Sequence, residues 1–383
     1  MQEPYTNLSY WEYKSWLADV DFTIVGSGIT GLSCALQLRK RFPISKILIL
    51  ERGSLPQGAS TKYAGFACFG SVSELLSDLD RHSEDEVLKL VKMRVDGLKV
   101  LRETLGDQAI GFEKCGGYEL FLNTNLELYE NCFSQIDYLN ELLEPVFEKP
   151  IFSSAQNRFQ FKNIQERLLF NAEEGAIDTG NMMQGLLQKA LQQNILILNN
   201  WTVTGFETLS NSVEVRANSI SFKTKKLFIA TNGLATHLGI TQVQPARNQV
   251  LVTKPIPDLK IKGTFHLDEG YTYFRNIDNR ILLGGGRNLD LTGEQTDALG
   301  TSVTIQAHLE KTLSQIILPQ TPVEIDYRWS GILGVGAQKK PILKPLSEHV
   351  FCGVRLGGMG VAIGSQIGKD LADLLDPPKN MKV

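Results

Sequence analysis

The sequence has no long apolar run, no paired cysteines and no basic tract, and each absence removes a class of function. No stretch of its 383 residues approaches about 18 consecutive apolar residues, so no membrane span is expected. The opening Met1-Gln-Glu-Pro-Tyr5 has neither a basic region nor an apolar core, so no export signal is expected either. Cys34, Cys68, Cys115, Cys132 and Cys352 lie scattered without C-x-x-C spacing, which argues against a disulfide framework or a zinc site and fits a reducing, cytoplasmic setting. The five histidines are scattered too, and no metal site is expected. Thirty-nine basic against 42 acidic residues leave a net charge of −3. The densest basic run, Lys223-Thr-Lys-Lys226, reads as a solvated strand end, so no nucleic-acid partner is expected. Internal repeats and low-complexity linkers are also lacking.

What is present begins at Asp21. Phe22 to Val25 is an apolar, β-prone run that stops at Gly26-Ser27-Gly28, followed by Ile29-Thr30-Gly31. Glycines there allow a tight turn and a close approach of backbone to a pyrophosphate. Ile29, Leu32, Ala35, Leu36 and Leu38 keep helical spacing up to Pro43, and Gly31 removes the Cβ that would hold this helix off the strand. The helix start offers free N–H groups and a partial positive charge to phosphates. A second strand, Lys46 to Leu50, ends in Glu51-Arg52, and the acid stands where adenosine ribose hydroxyls would be held and a 2′-phosphate repelled. Strand, glycines, helix and acid together predict a dinucleotide-binding βαβ unit, with NAD and FAD both open.

With 42% hydrophobic residues, the rest of the chain can build a large core. Tyr10, Trp11 and Trp16 are expected to anchor an N-terminal arm. Ser83-Glu-Asp-Glu86 is a capping box opening a helix that ends near Gly106, and Thr124-Asn-Leu-Glu127 has the same form ahead of a helix to Leu143. Residues 171 to 233 return to α/β character, ending in Ala230-Thr231-Asn232-Gly233, where a small, polar strand end offers its backbone to a ligand. Pro245 to Gly286 alternates as an antiparallel sheet would, notably in Tyr271-Thr-Tyr273-Phe-Arg275. The last stretch holds Trp329-Ser-Gly331, Gly357-Gly358-Met359-Gly360-Val361, a helix, and Pro377-Pro378 as its stop. The expected fold is α/β (α+β overall): a Rossmann-like dinucleotide domain from residues 1–80, 165–240 and 325–383, interleaved with an antiparallel-sheet substrate domain from 81–164 and 241–324.

The distant Gly358-Met-Gly360 helix start separates the two cofactors. Reduced flavin carries negative charge on its pyrimidine edge, and a glycine-rich helix start sets a positive dipole against it. An NAD enzyme needs no such second helix start.

These segments, with Gly58-Ala-Ser60-Thr61-Lys62-Tyr63-Ala64-Gly65-Phe66, Glu174-Gly-Ala-Ile-Asp178 and Trp201-Thr-Val203, resemble in order the D-amino-acid-oxidase superfamily of FAD enzymes, the branch of glycine, sarcosine and γ-glutamylputrescine oxidases. The resemblance implies FAD, an antiparallel substrate sheet covering the flavin, and oxidation of a carbon next to nitrogen or, less often, oxygen. It would lay Ser60 to Phe66 along pyrophosphate and ring, bring Val203 to adenine, and set Gly358 to Val361 at the flavin edge.

Three departures from the family pattern qualify this. The arginine that glycine oxidase directs at the substrate carboxylate is replaced in Trp329-Ser-Gly-Ile-Leu333-Gly334. No cysteine lies between Trp329 and Pro345 to attach the flavin, so non-covalent FAD is expected. No lysine occupies Ile281-Leu-Leu283, where sarcosine oxidases carry one that promotes reaction with oxygen, so the acceptor is oxygen or another carrier.

Tyr271, Tyr273 and Arg275 alternate and so share one face of a strand. Tyr271 matches the substrate-site tyrosine of the resembling family; filling of the sheet face is the alternative. Arg275 is either a site residue or a sheet anchor. Among Arg247, Lys344 and Arg355, the last stands nearest the flavin-edge glycines and is the preferred partner for a substrate anion. Cys68 reads as a buried thiol, Trp329 as a wall, and Lys62 as facing flavin or solvent. The sequence thus predicts an FAD-dependent oxidoreductase acting on the C–N bond of a small amine or amino acid. Its rivals are a 2-hydroxy-acid oxidase or dehydrogenase, a tRNA-uridine-modifying flavoenzyme and a non-catalytic flavin-binding subunit.

Overall fold

The computed structural model describes residues 8–375. The expectations at Met1-Gln-Glu-Pro-Tyr5 and at Pro377-Pro378 lie outside the described residues.

Val20–Val25 is the central strand of a first sheet ordered Ile342–Pro345, Val350–Val354, Ile220–Ile229, Val20–Val25, Ile47–Glu51, Leu196–Asn199. All neighbours are parallel except the first pair, and an antiparallel hairpin, Val203–Thr208 with Val213–Ala217, extends Ile220–Ile229. Ile47–Glu51 and Val350–Val354 are buried along their whole length because the sheet is covered on both faces. Ile24, Ile49 and Phe228 pack on one side beneath helices Ile29–Arg41, Thr179–Gln192 and Gly360–Asp373. Val25, Leu50 and Ile229 pack on the other.

The second sheet runs Ile325–Val335, Gln244–Thr253, Arg280–Gly285, Thr272–Ile277, Thr264–Leu267, Gly117–Glu119, Arg167–Asn171, Phe152–Gln156. It is antiparallel save where Thr264–Leu267 lies parallel to Gly117–Glu119. One face stacks Phe265, Phe274 and Leu283 against helix Val303–Thr312. The other faces the first sheet, and across it the register sets Glu119, His266, Tyr273 and Gly284 in one row. Tyr273 lies over Gly284 because a Cβ there would come within 2.7 Å of its ring.

Several local expectations change. The Thr124 to Glu127 motif caps nothing: the helix begins at Leu126 without a side-chain cap, stops at Ser134, and a separate helix, Ile136–Phe147, follows. Tyr10, Trp11 and Trp16 are solvent-exposed, and the arm is held by Leu8, Tyr13 and Leu17 packing on the first sheet. Arg167–Asn171 and much of Ile325–Val335 belong to the second sheet, so boundaries at 165 and 325 do not follow sheet membership. Pairing with Gly117–Glu119 and with Gln244–Thr253 draws these strands across. Among the described residues no helix is long and apolar enough to cross a membrane.

Candidate active site

A cleft opens at the carboxyl ends of the parallel strands, where Val25 leads into Gly26, Ile229 into Ala230-Thr231-Asn232, and Val354 towards Gly357-Gly358. Its cavity volume is about 170 Å³. Gly26 takes φ +102°, and a Cβ there would sit 3.0 Å from the Ala230 carbonyl oxygen. A Cβ on Gly28 would come as near the Ser60 hydroxyl, which accepts from the Ile29 N–H at 3.1 Å. Neither Ile29–Arg41 nor Gly360–Asp373 has a side-chain N-cap, so both helix starts keep donors for a ligand. The hydroxyls of Thr30 and Thr231 are buried without a hydrogen-bond partner in this same cleft. Glu51 is buried and fixed there: the Ser27 N–H and hydroxyl donate to Oε2 at 3.1 and 2.7 Å, and the Gly53 N–H to Oε1 at 3.0 Å. Arg52, Val203, Asn232, Gly360 and Val361 complete the expected set on its wall, with Trp201 and His237 added by the fold. Backbone donors, unpartnered hydroxyls and a fixed acid are a donor set suited to a dinucleotide.

A second cavity, of about 400 Å³, meets the cleft at Tyr63, Leu333 and Gly358, which line both. Phe66, Met359, Tyr271, Tyr273, Asn248 and His266 form its wall. The Asn248 amide donates to the Tyr273 hydroxyl at 2.8 Å, and burial pushes this phenol well up, so it stays neutral. Burial does the same for Tyr63 and for Cys68, whose thiol lies 3.8 Å from the Met359 sulfur. That thiol is therefore inert.

With the geometry in place, the family follows. A family model described as FAD dependent oxidoreductase (DAO) matches residues 21–374. The chain belongs to this family. The FAD-dependent oxidoreductase is 22% identical over 377 residues to a probable oxidoreductase OrdL of Haemophilus influenzae, covering 93% of this chain and 82% of that protein. Among solved structures, glycine oxidase from Geobacillus kaustophilus superposes with TM-score 0.75 at 18% identity, over 94% of this chain and 95% of that one. Iminodiacetate oxidase from Chelativorans sp. BNC1 superposes with TM-score 0.74 at 16% identity, over 94% and 97%. At these identities the two structures establish the fold. FAD is the cofactor of the family, and the cleft fits it.

Several anticipated residues of the oxidoreductase support the site from outside it. Ser27, Gly31, Thr61, Lys62, Ala64, Gly65, Gly233 and Gly331 line neither cavity. Thr61 donates to the Pro56 carbonyl at 2.6 Å, the Lys62 carbonyl accepts from the Trp329 indole at 2.9 Å, and Gly331 gives Lys62 room. Gly233 lies so close to the Leu333 carbonyl that a Cβ would come within 2.2 Å of its oxygen.

The cations differ most from expectation. Arg355 takes φ +65°, and its guanidinium donates to the carbonyls of Lys340 at 2.9 Å and Gln242 at 3.2 Å. It lines neither cavity. Arg247 makes a bidentate pair with buried Glu294 at 2.8 and 2.9 Å, and Lys344 donates to the Gln242 side chain. Arg275 is buried and clamps backbone carbonyls, with no ion pair among the described residues. The cavity instead receives Arg287, whose guanidinium lies 5.7 Å above the Tyr271 ring. The Gly284-Gly285-Gly286 run that turns the strand to present it is visible in the sequence. Arg355→Gln is therefore expected to change flavin content and turnover by no more than about twofold. Steady-state kinetics with any oxidised substrate checks this, and a rise in KM beyond tenfold would restore Arg355 to the site.

Proposed function

We propose that this oxidoreductase oxidises the C–N bond of a small amine or amino acid, using non-covalently held FAD. The observation that carries it is the junction of the two cavities at Tyr63, Leu333 and Gly358. It sets a chamber walled by Tyr63, Phe66 and Tyr273 against the end of the dinucleotide cleft that the second helix start closes. Bound there, FAD supplies the two-electron acceptor. The protein's part is to hold the substrate and set its protonation. Phe66, Met359 and Leu333 exclude water, and in such surroundings a neutral amine is favoured over ammonium. Tyr273 accepts from Asn248, which leaves its own proton free to donate to a substrate lone pair. Tyr271, 37% exposed, stands at the rim with Arg287 over its ring and caps the entrance. The names of the superposed oxidases, for glycine and iminodiacetate, support a nitrogen-bearing substrate.

Where the resemblance puts an oxygen-promoting lysine, Leu282 packs with Phe66, Val250 and Val252. Oxygen thus stands beside other carriers as the acceptor. The purified protein is expected to show a flavin spectrum whose chromophore acid precipitation releases, and to bleach anaerobically with one or more members of an amine panel. Bleaching by 2-hydroxy acids alone would overturn the C–N assignment, and a colourless protein that cannot be reconstituted would overturn the flavin site.

A further inference from the structure

We propose that His266, paired with Glu174, is the donor that binds the carboxylate of an amino-acid substrate inside the 400 Å³ cavity. This deepens the function proposed above and rests on it. His266 Nε2 lies 2.5 Å from Glu174 Oε1, and the two residues are 5% and 1% exposed. A buried ion pair this short holds its ring in one orientation. Nδ1 has no partner among the described residues, yet it is not among the side-chain atoms sealed from solvent without one. The ring packs edge-on to Phe66 at 5.3 Å, sits opposite Tyr273 in the sheet, and lines the cavity. His266 therefore lines the same chamber as the Tyr273 and Asn248 polar groups.

Burial alone pulls this imidazole down, but Glu174, followed by Glu74 and Glu119, outweighs it and raises the pKa to about 9. The groups facing the ring are these. Glu74 comes from helix Val72–Leu79 and accepts from the Ser71 N–H. Glu119 comes from the neighbouring strand and is saturated by Ser71 and Ser73. Tyr273, Tyr63 and Cys68 are held neutral. Across the cavity Arg81, Glu269, Arg287 and Lys339 stand on its solvent side, Lys339 paired to Asp78. His266 is thus the buried cation of this wall, where a charge-assisted hydrogen bond is least screened by salt. It takes the part that Arg355, which lines neither cavity, does not.

The test is calorimetric binding of acetate to the flavin-loaded protein from about pH 5.5 to pH 10, with acetamide as the uncharged probe. Wild type should bind acetate with constant affinity through neutrality and lose roughly tenfold per pH unit above about 9. His266→Asn should bind it about 10- to 100-fold more weakly with no such limb. Glu174→Gln removes the partner that outweighs burial, so the imidazole falls below its raised value and acetate binding should be weak at neutrality and strengthen towards about pH 5.5; recovery in acid separates a lost charge from a damaged fold. Acetamide affinity should not distinguish wild type from His266→Asn. Acetate binding unchanged in His266→Asn, or flat to pH 10 in wild type, overturns the assignment. A wild-type protein that takes up no flavin sinks the functional proposal instead.

Discussion

Gly31→Ala is expected to cost about 3 kcal/mol or more of stability and to leave the protein largely without flavin. Gly31 lies in the first turn of the helix Ile29–Arg41, facing Gly26 across the glycine motif. A Cβ there would sit 1.9 Å from the Gly26 carbonyl oxygen and 3.3 Å from the Ile24 side chain. The obstructing atom is backbone in the turn that must stay narrow, so no rotamer change relieves it. Backing the helix away is blocked on its far side. Gly368 of the helix Gly360–Asp373 approaches so closely that a Cβ on it would lie 2.4 Å from the Thr30 carbonyl oxygen. The start of one helix is thus wedged against the middle of the other, and strain at Gly31 reaches both. Denaturant midpoints and the flavin released per chain are the measurements. A variant that melts with wild type and carries one flavin per chain would show that the turn is looser than its contacts imply.

The same tight contacts explain which parts of the fold the sequence exposed. Glycine spacing, the apolar strands on either side and the acid at Glu51 are local signals, and they mapped directly onto one βαβ unit. The capping box at Ser83 held for the same reason, with both reciprocal hydrogen bonds made. An equal signal at Ser71-Val-Ser-Glu74, where the structure shows a complete capping box, was there to be read. Thr124 to Glu127 had the spacing but not the geometry, because the chain enters that helix through Asn125 at φ −119° and ψ 54°. The cavity's charges obey no local rule. His266 and Glu174 are 92 positions apart and meet only because strand Thr264–Leu267 lies beside Gly117–Glu119, with Glu174 packed on Gly117. Arg355 shows the converse: closeness in sequence to Gly358 suggested a site residue, and the Lys340 and Gln242 carbonyls hold its guanidinium instead.

Arg275 decides between a substrate ligand and a structural clamp, and its removal is expected to be the second most damaging change. One terminal nitrogen donates to the carbonyls of Gly65 at 2.8 Å, Ile177 at 2.7 Å and Ala64 at 3.4 Å, while Nε donates to Asn276 at 3.1 Å. Burial lowers its pKa, and the guanidinium, which does not deprotonate in proteins, remains a donor. The carbonyls it holds belong to two chain segments that also pair as Phe66 with Ala176. One of them carries Tyr63 and Phe66 into the cavities, so the clamp sets the wall without touching its contents. In Arg275→Met the Gly65 oxygen keeps the Ile177 N–H, but the Ile177 oxygen loses its donor inside the protein. The cost should be about 2–4 kcal/mol, with weaker flavin retention as the loop relaxes. Arg275→Lys should recover little, since a single ammonium cannot span Asn276 and Ile177 at once. Acetate affinity of the molecules that remain flavin-loaded should match wild type. Intact stability with acetate binding lost would make Arg275 a ligand after all and return the carboxylate from His266 to the strand that follows it.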